Sequence, residues 1–182
     1  GLDIGTGAFC IYTLLLCGST ANEIEMYATD IDEHSVQWAQ SHVTANNLQD
    51  RIHVLCVSST DRQQQHEQST RTAATTRPND PVRDGPLRRS LDCIPRSIQL
   101  AFSMTNPPFY DVGEDASLPD HVAMTRNEGC YPGGEVGFGL DMIRDGLVLF
   151  LQQQRKPPTW TSTMCGKKTS WTLLRHVVTQ LL

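Results

Sequence analysis

The chain has 182 residues, 38% of them hydrophobic and 19% charged, and carries a formal net charge of −5. That length and composition suit one soluble domain with a core of its own, and the longest apolar run, Cys10 to Cys17, falls far short of the roughly 20 residues that a membrane helix needs. The acidic balance argues against a stand-alone nucleic-acid grip, because phosphate contacts supply most of such affinity; any hold on nucleic acid must come from a local basic patch or from sequence beyond these residues.

In chain order, Leu2-Asp3-Ile4 reads as a strand end running into the glycine turn Gly5-Thr6-Gly7. A helix is predicted from about Ala8 to Cys17, closing at Gly18. Ile24 to Thr29 predicts a second strand. Asp32 can cap a helix whose Val36, Ala39 and Val43 share one face and which ends near Asn46-Asn47. Ile52 to Val57 is an apolar run of strand length. Strand, helix, strand, helix, strand is the opening of a doubly wound sheet.

From Ser58 to about Ser97 the composition shifts to Gln63-Gln64-Gln65, a Ser/Thr/Arg mixture and prolines at 78, 81, 86 and 95. So little to bury predicts an exposed, flexible insertion. Its Arg83, Arg88, Arg89 and Arg96 could touch phosphate or be solvated linker charges. Ile98 to Met104 predicts a fourth strand, ending at Asn106-Pro107-Pro108-Phe109. A loop rich in glycine and acid follows from Tyr110 to about Gly134. A helix is predicted from about Gly137 to Gln154, a fifth strand from Trp160 to Cys165, and a last helix from Ser170 to Leu182. The chain opens at Gly1 inside a strand and stops with strands still owed. The expectation is therefore an α/β fragment: one domain over 1–182, truncated at both ends, with the insertion at about 58–97.

The six cysteines (Cys10, Cys17, Cys56, Cys93, Cys130 and Cys165) are scattered, with no C-x-x-C pair. They predict no structural zinc site. No secretory signal pattern opens the sequence, so reduced thiols in an intracellular protein are expected.

Gly5-Thr6-Gly7 between a strand and a helix places a close-approach turn at the ligand-binding edge of an open α/β sheet. Asp3 precedes the turn, and Asp30 ends the second strand a little over 20 residues later, where a carboxylate can accept from both ribose hydroxyls of a nucleoside cofactor. A dinucleotide fingerprint would want a third glycine at position 10, which is Cys10. S-adenosyl-L-methionine has no pyrophosphate to cradle, and the missing glycine favours it. Asp3, Gly5, Thr6, Gly7 and Asp30 are the candidate cofactor-binding residues.

Asn106-Pro107-Pro108-Phe109 supplies the chemistry at the same edge. The prolines stiffen the backbone and remove amide donors. The Asn106 side-chain oxygen and the Pro107 carbonyl can then both accept from one planar NH2 group, orienting a poor nucleophile. Phe109 offers a face for a splayed-out base, worth about 1–3 kcal/mol. These four are the candidate catalytic residues.

Gly1-Leu2-Asp3-Ile4-Gly5-Thr6-Gly7-Ala8, Asn106-Pro107-Pro108-Phe109 and Met164-Cys165-Gly166-Lys167-Lys168 together resemble the methyltransferase-like sixteen family. Thr125-Arg126-Asn127 and Gly133-Gly134-Glu135 resemble its loop after the catalytic motif. The resemblance implies a Rossmann-like class I methyltransferase fold, S-adenosyl-L-methionine as cofactor, and N6 methylation of an unpaired adenine in small nuclear or ribosomal RNA. It implies cofactor contacts at Gly5, Asp30 and Asn106 and places Thr60 near an adenosine-contacting position. Phe9 stands where family members carry a small polar residue. The basic RNA-gripping segment of such proteins would lie upstream of Gly1.

Lys167 and Lys168 could hold RNA phosphate or simply cap a helix, and Arg126 could reach RNA, gate the cofactor or do neither. The expected partner is RNA, with no membrane and no metal, in the nucleus rather than the cytoplasm. Two rivals use the same motifs: a methyltransferase acting on DNA adenine or protein glutamine, and a non-catalytic RNA-binding remnant.

Overall fold

Hydrophobic periodicity and turn chemistry resolve into five parallel strands flanked by helices on both faces. The computed structural model describes residues 1–19, 24–57, 85–112, 129–152 and 155–181. In chain order these form β1 (Leu2–Ile4), α1 (Ile11–Ser19), β2 (Met26–Asp30), α2 (Glu33–Ala45) and β3 (Ile52–Cys56). Then come α3 (Pro86–Asp92), β4 (Phe102–Thr105), β5 (Tyr110–Asp111), β6 (Cys130–Tyr131), α4 (Gly134–Gln152), β7 (Trp160–Thr163) and α5 (Lys168–Leu181). The main sheet runs β3-β2-β1-β4-β7, every pair parallel, and β5 pairs with β6 apart from it. β1 lies beside both β2 and β4, with Leu2 opposite Tyr27 on one side and Ser103 on the other. The strand order reverses there. In such sheets the reversal opens a crevice at the carboxyl ends of the strands.

All five residues of β2 are buried, as a strand covered on both faces requires. One core gathers Cys10 and Cys17 with Val36, Ala39 and Val43 of α2, against Met26, Ala28 and Ile52. The other packs Leu87 and Leu91 of α3 and Phe138, Met142 and Leu149 of α4 against Leu2, Ile4 and Tyr27. Asp32 caps α2 by accepting from the Ser35 amide at 2.9 Å. Among the described residues no helix is long and apolar enough to cross a membrane.

Three of the boundaries that the structure corrects bear on the site. α1 begins at Ile11 rather than Ala8, because Gly5, Gly7 and Cys10 all take positive φ, +72°, +64° and +49°, which no helix accommodates. Cys10, at the position of the absent fingerprint glycine, thus adopts a backbone that glycine favours. β4 is only four residues long, because residues 95–98 close a turn through Ile98 N to Pro95 O before it starts.

The third correction concerns the insertion. Residues 85–94 are not exposed polar linker: α3 lies there, with Leu87, Leu91 and Ile94 in the core, whereas residues 95–97 are exposed as expected. Pro86 sits at the helix start, where its missing N–H costs nothing. Gly85 has no side chain to cap the helix, so Asp145 of α4 does it from outside, accepting from Gly85 N and Arg88 N at 3.1 Å each. A Cβ on Gly85 would fall 2.5 Å from that carboxylate. At the other end the Arg155 guanidinium donates to the carbonyls of Leu91, Ile94 and Pro95. The remainder of the predicted insertion, 58–84, lies outside the described residues.

Candidate functional site

β1, β2 and β4 end at one edge of the sheet, where a cleft of about 500 Å³ opens between the two helical layers. Its floor is the glycine turn. The amides of Gly5 and Thr6 both donate to Thr29 O, at 2.9 and 3.0 Å, which ties the turn after β1 to the end of β2. Gly7 N donates to Asp30 Oδ2 at 2.8 Å, and Asp32 N to Asp30 Oδ1 at 2.9 Å. Asp30 is therefore fixed in orientation at the cleft floor. Gly5, Thr6, Gly7 and Asp30 all line the cleft.

Asp3 is placed differently. It is 1% exposed, does not line the cleft, and accepts on Oδ2 from the hydroxyls of Thr6 and Thr13 at 2.9 and 2.8 Å. Burial pushes its carboxyl above the usual aspartate value, against the two hydroxyl bonds that pull it down. It joins β1, the glycine turn and α1 from behind, and so shapes the floor without facing a ligand.

On the β4 side, Thr105 anchors the strand end by donating to Ile4 O at 2.7 Å. Asn106, Pro107, Pro108 and Phe109 then all line the cleft. The Asn106 Oδ1 atom is buried and has no hydrogen-bond partner. A buried acceptor left empty costs roughly 1–3 kcal/mol, and native structures leave few of them. Pro107 is fully buried and Phe109 half-buried.

Phe109 is held from two sides. Gly134, at φ +58°, brings the start of α4 so close that a Cβ there would lie 3.0 Å from Phe109 O. Gly166 does the same from the turn after β7: a Cβ would sit 3.0 and 3.1 Å from the ring carbons of Phe109. The turn is itself clasped by Glu135, 3% exposed, which accepts from Gly166 N at 2.6 Å and Lys167 N at 3.0 Å. Burial pushes the Glu135 carboxyl up, but the Ser170 hydroxyl, the two amides and the Lys167 charge outweigh it, leaving the carboxyl below the usual glutamate value. Residue-by-residue reading did not single out Glu135. Its signal is a carboxylate in the first turn of a helix, directly after two glycines.

Lys167 and Lys168 are exposed at the start of α5 and do not line the cleft. Thr60 and Arg126 lie outside the described residues. The cleft mouth on the α1–α2 side is aromatic: Phe9, 70% exposed, and Trp38, 54% exposed, both line it, and the Phe9 ring lies 5.7 Å from that of His42. Of the arginines in the predicted insertion, Arg89 lines the cleft. Among the described residues no group of three or more His, Cys, Asp and Glu could hold a metal ion.

The arrangement offers a fixed carboxylate suited to a diol, a glycine floor for close approach, an empty amide acceptor and an aromatic face. Comparison with known proteins agrees with it. A family model described as RNA methyltransferase matches residues 1–75. The U6 small nuclear RNA (adenine-(43)-N(6))-methyltransferase of Schizosaccharomyces pombe is 29% identical over 180 residues, which are 93% of this chain and 37% of that protein. The catalytic domain of human METTL16 in complex with the MAT2A 3′UTR hairpin 1 superposes with a TM-score of 0.61 at 27% identity, covering 100% of this chain and 55% of that one. The N-terminal domain of human METTL16 in complex with SAH gives 0.56 at 28% identity, covering 100% and 51%. The chain thus spans little more than a third of that curated relative and about half of those solved domains.

Proposed function

We propose that the chain is the catalytic part of an S-adenosyl-L-methionine-dependent RNA methyltransferase of the METTL16 type, which methylates N6 of an unpaired adenine in RNA. The observation that carries the reading is the buried, partnerless Asn106 Oδ1 at the cleft edge, beside Pro107 and Phe109. An exocyclic amine is the ligand group whose N–H this acceptor suits. A small nuclear RNA is the substrate class the relatives favour over ribosomal RNA, and the nucleus is the matching compartment. Residues 1–182 act as one methyltransferase domain, interrupted by the polar stretch that starts at residue 58.

The residues fit the cofactor. Asp30, oriented by the Gly7 and Asp32 amides, would accept from the ribose hydroxyls, and the glycine turn lets the backbone approach. When bound, S-adenosyl-L-methionine supplies an electrophilic methyl group on a positively charged sulfur. Asn106 Oδ1 and the Pro107 carbonyl accept from the adenine N6–H groups and aim the nitrogen lone pair, while Phe109 stacks on the base, extruded from its own stack. With the donor bound, N6 so aimed would take up its methyl group and release one proton to water. Catalysis then rests on orientation and proximity. Lys167 and Lys168, exposed beside the Phe109 clasp, and Arg126 are the proposed contacts to RNA phosphate, and Thr60 to the adenosine.

Calorimetric titration with S-adenosylhomocysteine is expected to give micromolar binding that Asp30→Ala abolishes. Transfer of labelled methyl groups is expected to RNA and to neither DNA nor protein. Labelling of protein alone would replace the substrate class with an amide side chain. A folded chain that binds no S-adenosylhomocysteine would point instead to a non-catalytic RNA-binding module.

A further inference from the structure

Asp111, half-buried on β5, stands two residues beyond Phe109. Its Oδ1 accepts from Gly133 N at 3.0 Å, 22 residues further along the chain. That amide opens the turn into α4, where neither Gly133 nor Gly134 has a side chain to cap the helix. Asp111 thus serves the helix start from a neighbouring strand, as the acid of a capping box serves it from within, and the helix dipole favours a carboxylate there. The far side of the turn is fixed as well: Gly137 N donates to Gly133 O at 3.0 Å, and both glycines take positive φ, +77° and +58°. What the turn presses on gives the bond its importance. A Cβ on Gly134 would meet Phe109 O at 3.0 Å, the Tyr110 carbonyl carbon at 3.5 Å and the Asp111 nitrogen at 3.6 Å. The turn therefore lies directly against the main chain that leaves the Asn106 motif.

The pairing of β5 with β6 joins the same two segments, Tyr110 opposite Cys130 and Asp111 opposite Tyr131. A ladder of two residues is a weak hold by itself. Gly166 meets the Phe109 ring from the β7 side, whereas the Gly133–Gly134 turn meets its main chain. We propose that Asp111 is a positioning residue for the methylation: its bond to Gly133 N keeps that turn against the Phe109 main chain and so sets the plane on which the adenine stacks. Asp111 does not line the cleft and acts only through Phe109. A shifted turn tilts the ring and moves N6 away from its line of attack, which costs rate and not cofactor affinity. The proposal rests on the reading of Phe109 as the stacking face.

The test measures single-turnover methyl transfer to an RNA with one unpaired adenine, for Asp111→Ala, Asp111→Asn, Phe109→Ala and the two alanine changes combined. Rates are normalised to the sites counted by S-adenosylhomocysteine titration, so that an unfolded fraction drops out. Asp111→Ala is expected to slow transfer about 10-fold at unchanged S-adenosylhomocysteine affinity. Asp111→Asn, whose carboxamide oxygen can still accept, should recover most of the rate. In the Phe109→Ala background Asp111→Ala should change nothing further, because its route to the reaction runs through the ring. A full rate for Asp111→Ala, no recovery with Asp111→Asn, or the same loss on top of Phe109→Ala would each overturn the assignment while leaving the methyltransferase reading intact. An undiminished rate for Phe109→Ala would overturn the stacking role and the assignment with it, and so would a folded wild-type chain that transfers nothing.

Discussion

Asn106→Ala is expected to lower methyl transfer by at least about 10²-fold while leaving S-adenosylhomocysteine affinity within a few fold. The carboxamide oxygen is the acceptor that orients the amine, and misplacing a reacting group by about 1 Å already costs on that order. The cofactor's main polar anchor is proposed at Asp30, on a different strand, so the two effects separate. Removing the carboxamide also removes a buried acceptor that has no protein partner. The fold therefore loses little, and the melting temperature should hold or rise slightly. Single-turnover transfer to an RNA carrying one unpaired adenine checks the rate, and titration checks the affinity. Near-normal turnover would remove Asn106 from the mechanism.

Glu135→Ala has the largest expected effect on stability, about 3 kcal/mol, because it strands two backbone amides and the Ser170 hydroxyl at a site that is almost fully buried. The loss spreads to the site, since the clasped turn carries Gly166 against the Phe109 ring. Urea denaturation measures the first effect, and weakened RNA binding at unchanged cofactor affinity measures the second. The pH dependence has a fixed sign. The folded carboxyl lies below the usual glutamate value, so its stabilisation is complete above that usual value and is lost as pH falls through the lowered folded one. The stability gap between wild type and Glu135→Gln should therefore be widest at neutral pH and narrow in acid. A gap constant across that range would mean that the charge of Glu135 contributes nothing.

Local signals in the chain carried well into three dimensions. Asp32 caps α2 with a contact three residues away, and the Val36, Ala39 and Val43 face is buried as spaced, because both depend only on helix geometry. The glycine turn and the Asn106 motif reached a common cleft because strand order alone brings the ends of β1 and β4 together. Partners distant in sequence left no such trace. α3 hid in polar surroundings because its cap comes from Asp145, some 60 residues away, and its leucines are too few to set a pattern. Sequence gives the distance of Asp3 from the turn but not the Thr6 and Thr13 hydroxyls toward which its buried carboxylate points. Glu135 became legible only once the turn after β7 was seen beside α4.

The aromatic mouth of the cleft also gives the protein an optical reporter. It has three tryptophans, and Trp38, Trp160 and Trp171 are 54%, 75% and 55% exposed. All three already meet water when the chain is folded, so unfolding should shift their emission little, and fluorescence would follow denaturation poorly. Trp38 alone lines the cleft, whereas Trp160 and Trp171 sit on β7 and α5 outside it. A nucleoside entering the cleft should quench Trp38 against a steady background from the other two, and Trp38→Phe should abolish that response without changing the background. The same tryptophan that reports little on folding thus becomes a direct gauge of occupancy.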